Sequence, residues 1–162
     1  MALEFQTFSI VAGNANCNAD CFYCVSKMTT SVDQAIEISD TQKTVDWRNF
    51  KKAARLAQMS GVTTVLITGK GEPTMYPAEI TAYLDRLKNY DFPITELQSN
   101  GTLFQNPTLY GGRVDHLQDW YNLGLDTVII SVVGFEPEQN RRVYFPKGRE
   151  YPTLDKTVDI LH

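Results

Sequence analysis

Cys17, Cys21 and Cys24 fall within the stretch "ANCNADCFYC", and the 162-residue chain has no other cysteine. A cysteine used as a small buried hydrophobe needs no neighbours of its own kind. Three thiols at spacings of four and three residues, in the polar company of Asn16, Asn18 and Asp20, point instead to a shared ligand. Structural zinc takes four protein ligands in a closed tetrahedron, and only His116 and His162 could supply a fourth nitrogen. A ferredoxin-type cluster takes four cysteines. A thioredoxin-like use of "CFYC" needs a helix to follow at once, whereas "VSKMTTSVDQ" reads as a polar loop. Three unrelated buried thiols form the plainest alternative. The remaining one is a four-iron cluster held by three thiolates, with one iron left open to a ligand.

Such a site has to be carried by a scaffold, and the chain has a rhythm. "TFSIVAG", "TTVLITG", "ITELQSNG" and "DTVIISVVG" read as strands, short β-branched runs that end in glycine. In "DWRNFKKAARLAQMSG", Trp47, Phe50, Ala54 and Ala57 share one helical face, with Gly61 as the stop. In "YPAEITAYLDRLKNY", Pro77 occupies a first turn, and Ile80, Leu84 and Leu87 make the buried stripe. In "RVDHLQDWYNLG", Val114, Leu117 and Trp120 do the same, with Gly124 as the stop. Alternating strands and helices predict an α/β fold with a parallel sheet. The chemically capable residues follow successive strands: the cysteines the first, "GKGEPT" the second, "SNGT" the third, with Ser131 late in the fourth. Parallel barrels build their sites at strand C-termini, whereas an open sheet concentrates them at one switch point. The expectation is a partial (β/α) barrel.

Hydrophobic residues at 43% and charged ones at 21% suit a globular domain, and one domain over 1–162 is expected. The net charge of -4 provides no global basic field for nucleic acid. The longest apolar runs, such as "TVIISVVGF", are too short for a bilayer, and "MALEFQTF" lacks the pattern of a signal peptide. An odd number of clustered cysteines argues for a reducing compartment, so the cytoplasm is expected.

C-x3-C-x2-C after a first strand, with Tyr23 before the last cysteine, resembles the signature of the radical S-adenosylmethionine enzymes. The resemblance implies that Cys17, Cys21 and Cys24 hold a [4Fe-4S] cluster. Its open iron would be chelated by the amino and carboxylate groups of S-adenosylmethionine, and cleavage would give a 5′-deoxyadenosyl radical that abstracts hydrogen from a substrate. "TGKGEPTMYP" is similar to the family's Gly-Gly-Glu-Pro segment, which implies that Gly69, Gly71 and Glu72 meet the methionine end. Lys70 separates the two glycines, as in the G-x-G-E-P form of some members. Glycines let a main chain approach a ligand, and a carboxylate accepts from an ammonium; the alternative for Glu72 is a helix N-terminal charge. "QSNGTL" is like the family's T-N-G-T segment and implies a cofactor role for Asn100, beside the alternative of an ordinary turn. Ser131 matches a family position near the ribose or carboxylate, or is a half-buried strand serine. Several relatives place an arginine beyond that strand to grip the carboxylate; that place falls close to Tyr144, with Arg141 and Arg142 just before it, and a solvated basic turn is the favoured alternative. Phe22 and Tyr23 would line the adenine site or simply cover the cluster.

The family core is a six-unit partial barrel, and about four units are legible here, the cluster loop spanning about 13–45 in the first of them. "YPTLDKTVDILH" then starts a helix with Thr153 as N-cap and Leu154, Val158 and Leu161 in its stripe. A chain truncated before strands five and six, a gene fragment or a degenerate copy is expected. Its partners would then include an oligomeric mate or the missing part of the barrel, as well as an electron donor such as flavodoxin or ferredoxin. The resemblance leaves the substrate open among small molecules, peptides and RNA. The rival reading is a non-catalytic iron–sulfur or zinc-binding half-barrel acting in protein interaction.

Overall fold

The computed structural model describes residues 5–28, 45–106, 115–145, 148 and 150–162. Among these, four strands form one sheet, β1 (Thr7–Val11), β2 (Thr64–Thr68), β3 (Ile94–Ser99) and β4 (Thr127–Ile130), in the order β1-β2-β3-β4. All three pairings are parallel, with Ile10 beside Ile67, Ile67 beside Leu97, and Leu97 beside Val128. The strand order follows the chain order without the reversal that makes a switch point in a doubly wound sheet. The arrangement is a partial β/α barrel, as expected, and all four strand C-termini lie along one edge.

The helices among the described residues are α1 (Val25–Met28), α2 (Trp47–Met59), α3 (Pro77–Leu87), α4 (His116–Asn122), α5 (Pro137–Tyr144) and α6 (Leu154–Leu161), with a 3₁₀ turn at Pro73–Met75. The period-2 alternation of the strands decides the layering. Phe8, Ile10, Val65, Ile67, Leu97 and Val128 belong to the core, where they meet Ile80, Leu84 and Leu87 of α3 and Trp120 of α4. Trp47 and Phe50 of α2 pack on the same core, Trp47 with the Arg86 guanidinium 3.5 Å from its ring centroid. Each fully buried aliphatic side chain contributes about 1.5–3 kcal/mol. The opposite face, with Ser9, Leu66, Thr68, Glu96, Gln98 and Ile129, is half-buried or exposed.

Local signals explain most helix ends. Asp46 caps α2, its carboxylate accepting from the Asn49 N–H at 3.0 Å, and Gly61 follows at φ +74°. Asp46→Ala is expected to cost about 1 kcal/mol, read as a lower urea midpoint with an unchanged slope; an unchanged midpoint would show that the cap is idle. Pro77 opens α3, and Gly124 at φ +93° ends α4.

Four expectations need correction. "VSKM" is a helical turn rather than a loop, because the Lys27 N–H donates to Cys24 O at 3.0 Å and Ser26 Oγ donates to Lys70 O at 2.5 Å. Such tertiary anchoring stabilises a turn too short to form alone. Ser131 lies just past β4 and is exposed. The basic turn at Arg141 and Arg142 is the helix α5, opened by Pro137 and by Gln139 Oε1 accepting from the Glu136 N–H. In α6, Val158 is exposed and Thr157 is buried, since the Thr157 hydroxyl accepts from Gln105 Nε2 at 3.0 Å. Val114 and the stretch 29–44 of the expected cluster loop lie outside the described residues.

Candidate active site

The segment after β1 is clamped from two sides. On one side the Gly71 N–H donates to Asn14 O and the Glu72 N–H to Asn16 O, each at 3.0 Å. On the other, the Asp20 N–H donates to Tyr144 O at 2.8 Å, and Ala19 joins Tyr144, Phe145 and Tyr151 in a small second core. Gly13, at φ +71°, donates its N–H to Glu79 Oε1 at 3.1 Å, and a Cβ there would lie 2.2 Å from the Tyr76 ring. The glycine of greatest consequence is Gly71, where a Cβ would stand 1.9 Å from Asn16 O. The sequence suggested that this glycine admits a ligand; the structure shows that it also admits the main chain of the cysteine segment. Gly69 has a different role, folding the turn back on Pro73, whose Cδ would lie 2.9 Å from an added Cβ.

This clamping brings the cysteines to a pocket at the strand C-termini. Cys17, Cys21 and Cys24 line it together with Tyr23, Gly69, Lys70, Gly71, Glu72, Ser99, Asn100 and Ser131. All four expected segments thus contribute to it, the second through Gly69–Pro73, the third through Ser99 and Asn100, and the fourth through Ser131. Arg142, Arg141 and Phe22 do not line it: Phe22 is exposed, and both arginines lie on α5 paired with Glu138, Arg142 through Nε at 3.0 Å. Hydrogen bonds from Arg141 and then Arg142 hold the Glu138 carboxyl low, at about 2.

Glu72 is 3% exposed, and its carboxylate is well supplied with donors. Oε1 accepts from the Thr74 N–H at 3.1 Å, Thr74 Oγ1 at 2.5 Å and Ser99 Oγ at 2.7 Å. Oε2 accepts from the Asn100 N–H at 2.9 Å, its one hydrogen bond among the described residues. Glu72 therefore caps the 3₁₀ turn, the alternative weighed from sequence, and also lines the pocket. Asn100 accepts through Oδ1 from Thr102 and donates through Nδ2 to Asn18 at 2.9 Å. Ser131 O accepts from the Tyr144 hydroxyl at 2.7 Å. Burial, with Tyr23 hydrogen-bonded beside it, pushes the Tyr144 phenol well above its ordinary range.

All three thiols are free, Cys17 exposed and the others half-buried. Burial pushes the Cys17 and Cys21 thiols up; Glu72 and Cys24 add to this at Cys17, while the Ala19 N–H and Lys27 oppose it. Among the described residues, no three His, Cys, Asp or Glu side chains converge as ligands of one ion would. The group to be tested against them is a four-iron cluster held by thiolates. Soft sulfur donors that repel one another as thiolates, open to a common pocket, fit such a group.

Ser99, Asn18, Thr102 and Tyr144 were not singled out from sequence, although all contact the site residues. Ser99 and Thr102 flank Asn100 in "QSNGTL" and Asn18 stands between two of the cysteines, so adjacency was their only signal. Tyr144 has no local signal at all, because its contacts come from a helix without an apolar stripe.

A family model described as the Radical SAM superfamily matches residues 14–161. No curated protein matches the chain.

Proposed function

This chain belongs to the radical SAM superfamily, and on that premise we propose that it binds a [4Fe-4S] cluster through Cys17, Cys21 and Cys24, with S-adenosylmethionine beside it. When bound, the pair supplies reductive cleavage of S-adenosylmethionine and hydrogen abstraction from a substrate, chemistry that belongs to the cofactor. The protein positions and shields. One observation carries the reading: three free thiols and a buried carboxylate line a single pocket at the C-terminal ends of parallel strands.

In this reading Glu72 orients the methionine end. Oε1 is occupied by Thr74 and Ser99 donors, which holds the carboxylate still and leaves Oε2, with one donor, to accept from an ammonium. Gly69 and Gly71 form the turn that keeps the adjoining wall free of side chains. Tyr23 and Ser131 border the same pocket, Tyr144 fixing the Ser131 carbonyl. Arg142 is given no part, because its exposed guanidinium is paired outside the pocket. The electron would come from a small redox protein such as flavodoxin or ferredoxin, in a reducing cytoplasm, and the substrate class stays open.

The test is anaerobic iron–sulfide reconstitution followed by EPR of the reduced protein, with and without S-adenosylmethionine. A four-iron signal that changes on adding S-adenosylmethionine is expected. A colourless, well-folded protein would sink the reading. Cys21→Ser is expected to lose the four-iron signal while keeping its far-UV circular dichroism, since the thiol packs only at the margin of the second core. A variant that keeps a full cluster would remove Cys21 from the ligand set.

A further inference from the structure

We propose that Asn100 is a positioning residue that raises the reduction potential of the cluster by donating a hydrogen bond to Cys17. The inference rests on the cluster reading above and deepens it. Three side chains form a closed ring. Asn100 Nδ2 donates to Asn18 Oδ1 at 2.9 Å, Asn18 Nδ2 to Thr102 Oγ1 at 2.7 Å, and Thr102 Oγ1 to Asn100 Oδ1 at 2.7 Å. The ring closes between residues more than eighty positions apart, the Asn18–Asn100 separation being 82.

The amide orientation of Asn100 follows from chemistry. The Thr102 backbone N–H, which can only donate, lies 3.0 Å from Oδ1, so that atom must be the oxygen. Nδ2 consequently faces the cysteine segment. One of its two hydrogens goes to Asn18, and Cys17 Sγ lies 3.9 Å from the nitrogen to take the other. The Ala19 N–H donates to the same sulfur at 3.4 Å. Asn100 is 8% exposed and Thr102 9%, so water competes little for the bond between them, while Cys17 stands at the exposed side of the ring.

Hydrogen bonds to a ligating sulfur stabilise the more negative, reduced cluster and so raise its potential. An asparagine locked by the ring, with one N–H left for a thiolate, suits that task. Its other polar atoms are engaged, so it reaches the cluster through Cys17.

The experiment compares reconstituted wild type, Asn100→Ala and Asn18→Ala in EPR-monitored redox poising without S-adenosylmethionine. Asn100→Ala is expected to assemble the cluster with its midpoint shifted to lower potential. At the wild-type midpoint its reduced-to-oxidised ratio should fall roughly fivefold, the scale of one ordinary hydrogen bond. Asn18→Ala is expected to stay near the wild-type potential, because the Thr102 N–H still orients the Asn100 amide. A wild-type midpoint in Asn100→Ala, or an equal shift in both variants, would overturn the inference and leave only slackening of the segment. For an Asn100→Ala protein that does not fold, the same question is put to wild type carrying ¹⁵N-asparagine and to the isosteric Asn100→Asp. A side-chain ¹⁵N coupling to the cluster, present in wild type and lost in Asn100→Asp, supports the bond; no coupling in wild type refutes it. A wild type that assembles no four-iron cluster overturns the cluster reading itself.

Discussion

Gly71→Ala is expected to damage stability and iron uptake together. The added Cβ would lie 1.9 Å from Asn16 O, 2.5 Å from Asn16 C and 2.8 Å from Ala15 C, all main-chain atoms that no rotamer change can move aside. Relief requires the two segments to part, breaking the Gly71–Asn14 and Glu72–Asn16 hydrogen bonds. The cost should reach the upper end of the roughly 1–3 kcal/mol typical of overpacking. Because the displaced segment carries Cys17, iron bound after reconstitution should fall as well. Gly61→Ala separates strain from collision: nothing lies within 4 Å of its added Cβ, but φ is +74°. It is expected to lose about 1–2 kcal/mol from backbone strain alone and to bind iron normally. Urea unfolding and iron analysis read both quantities. A Gly71→Ala protein with wild-type stability and iron content would mean that the two segments do not meet as described.

Removing the Glu72 carboxylate is expected to have the other large effect. Glu72→Ala leaves Thr74 N–H, Asn100 N–H and two hydroxyls without their acceptor. The hydroxyls can turn, but the two main-chain donors cannot. At about 1–3 kcal/mol for each stranded N–H, the loss is about 2–6 kcal/mol. Glu72→Gln should be milder, since its carbonyl can serve Thr74 and Ser99 while its NH₂ group opposes only the Asn100 N–H. That variant isolates function from folding. With the charge gone but the shape kept, the four-iron signal should persist and its response to S-adenosylmethionine should disappear. A full response in Glu72→Gln would restrict Glu72 to its capping role.

Much of the scaffold was legible because its signals are local. β-branched runs ending in glycine marked all four strands, and Pro77 with Ile80, Leu84 and Leu87 marked α3. The failures share a cause. α5 has no apolar stripe, and its signature lay in Pro137 and the Glu136–Gln139 box rather than in periodicity. In α6 the stripe chose Val158, yet Thr157 is buried, because a hydrogen bond to Gln105 outweighs a one-residue difference in polarity. Arg142 was weighed as a carboxylate grip against a solvated basic turn, and its carboxylate partner stands four residues away on its own helix.

The amino-acid sequence by itself determined the fold class and supplied the proposed ligand set. Three thiols at fixed spacing and a two-fold alternation in each strand are properties of neighbouring residues, which no packing can alter. Tertiary structure alone decided what each residue of the site touches. The parallel register sets four strand ends side by side, bringing Glu72 to Ser99 and Asn100, and Asn100 to Asn18 and Cys17. It also gave Gly71, on the pocket wall, a second task as the place where two main chains cross. Hydrogen-bond partners of this kind are chosen by distance in space, and chain distance carries almost no information about them once a sheet has formed.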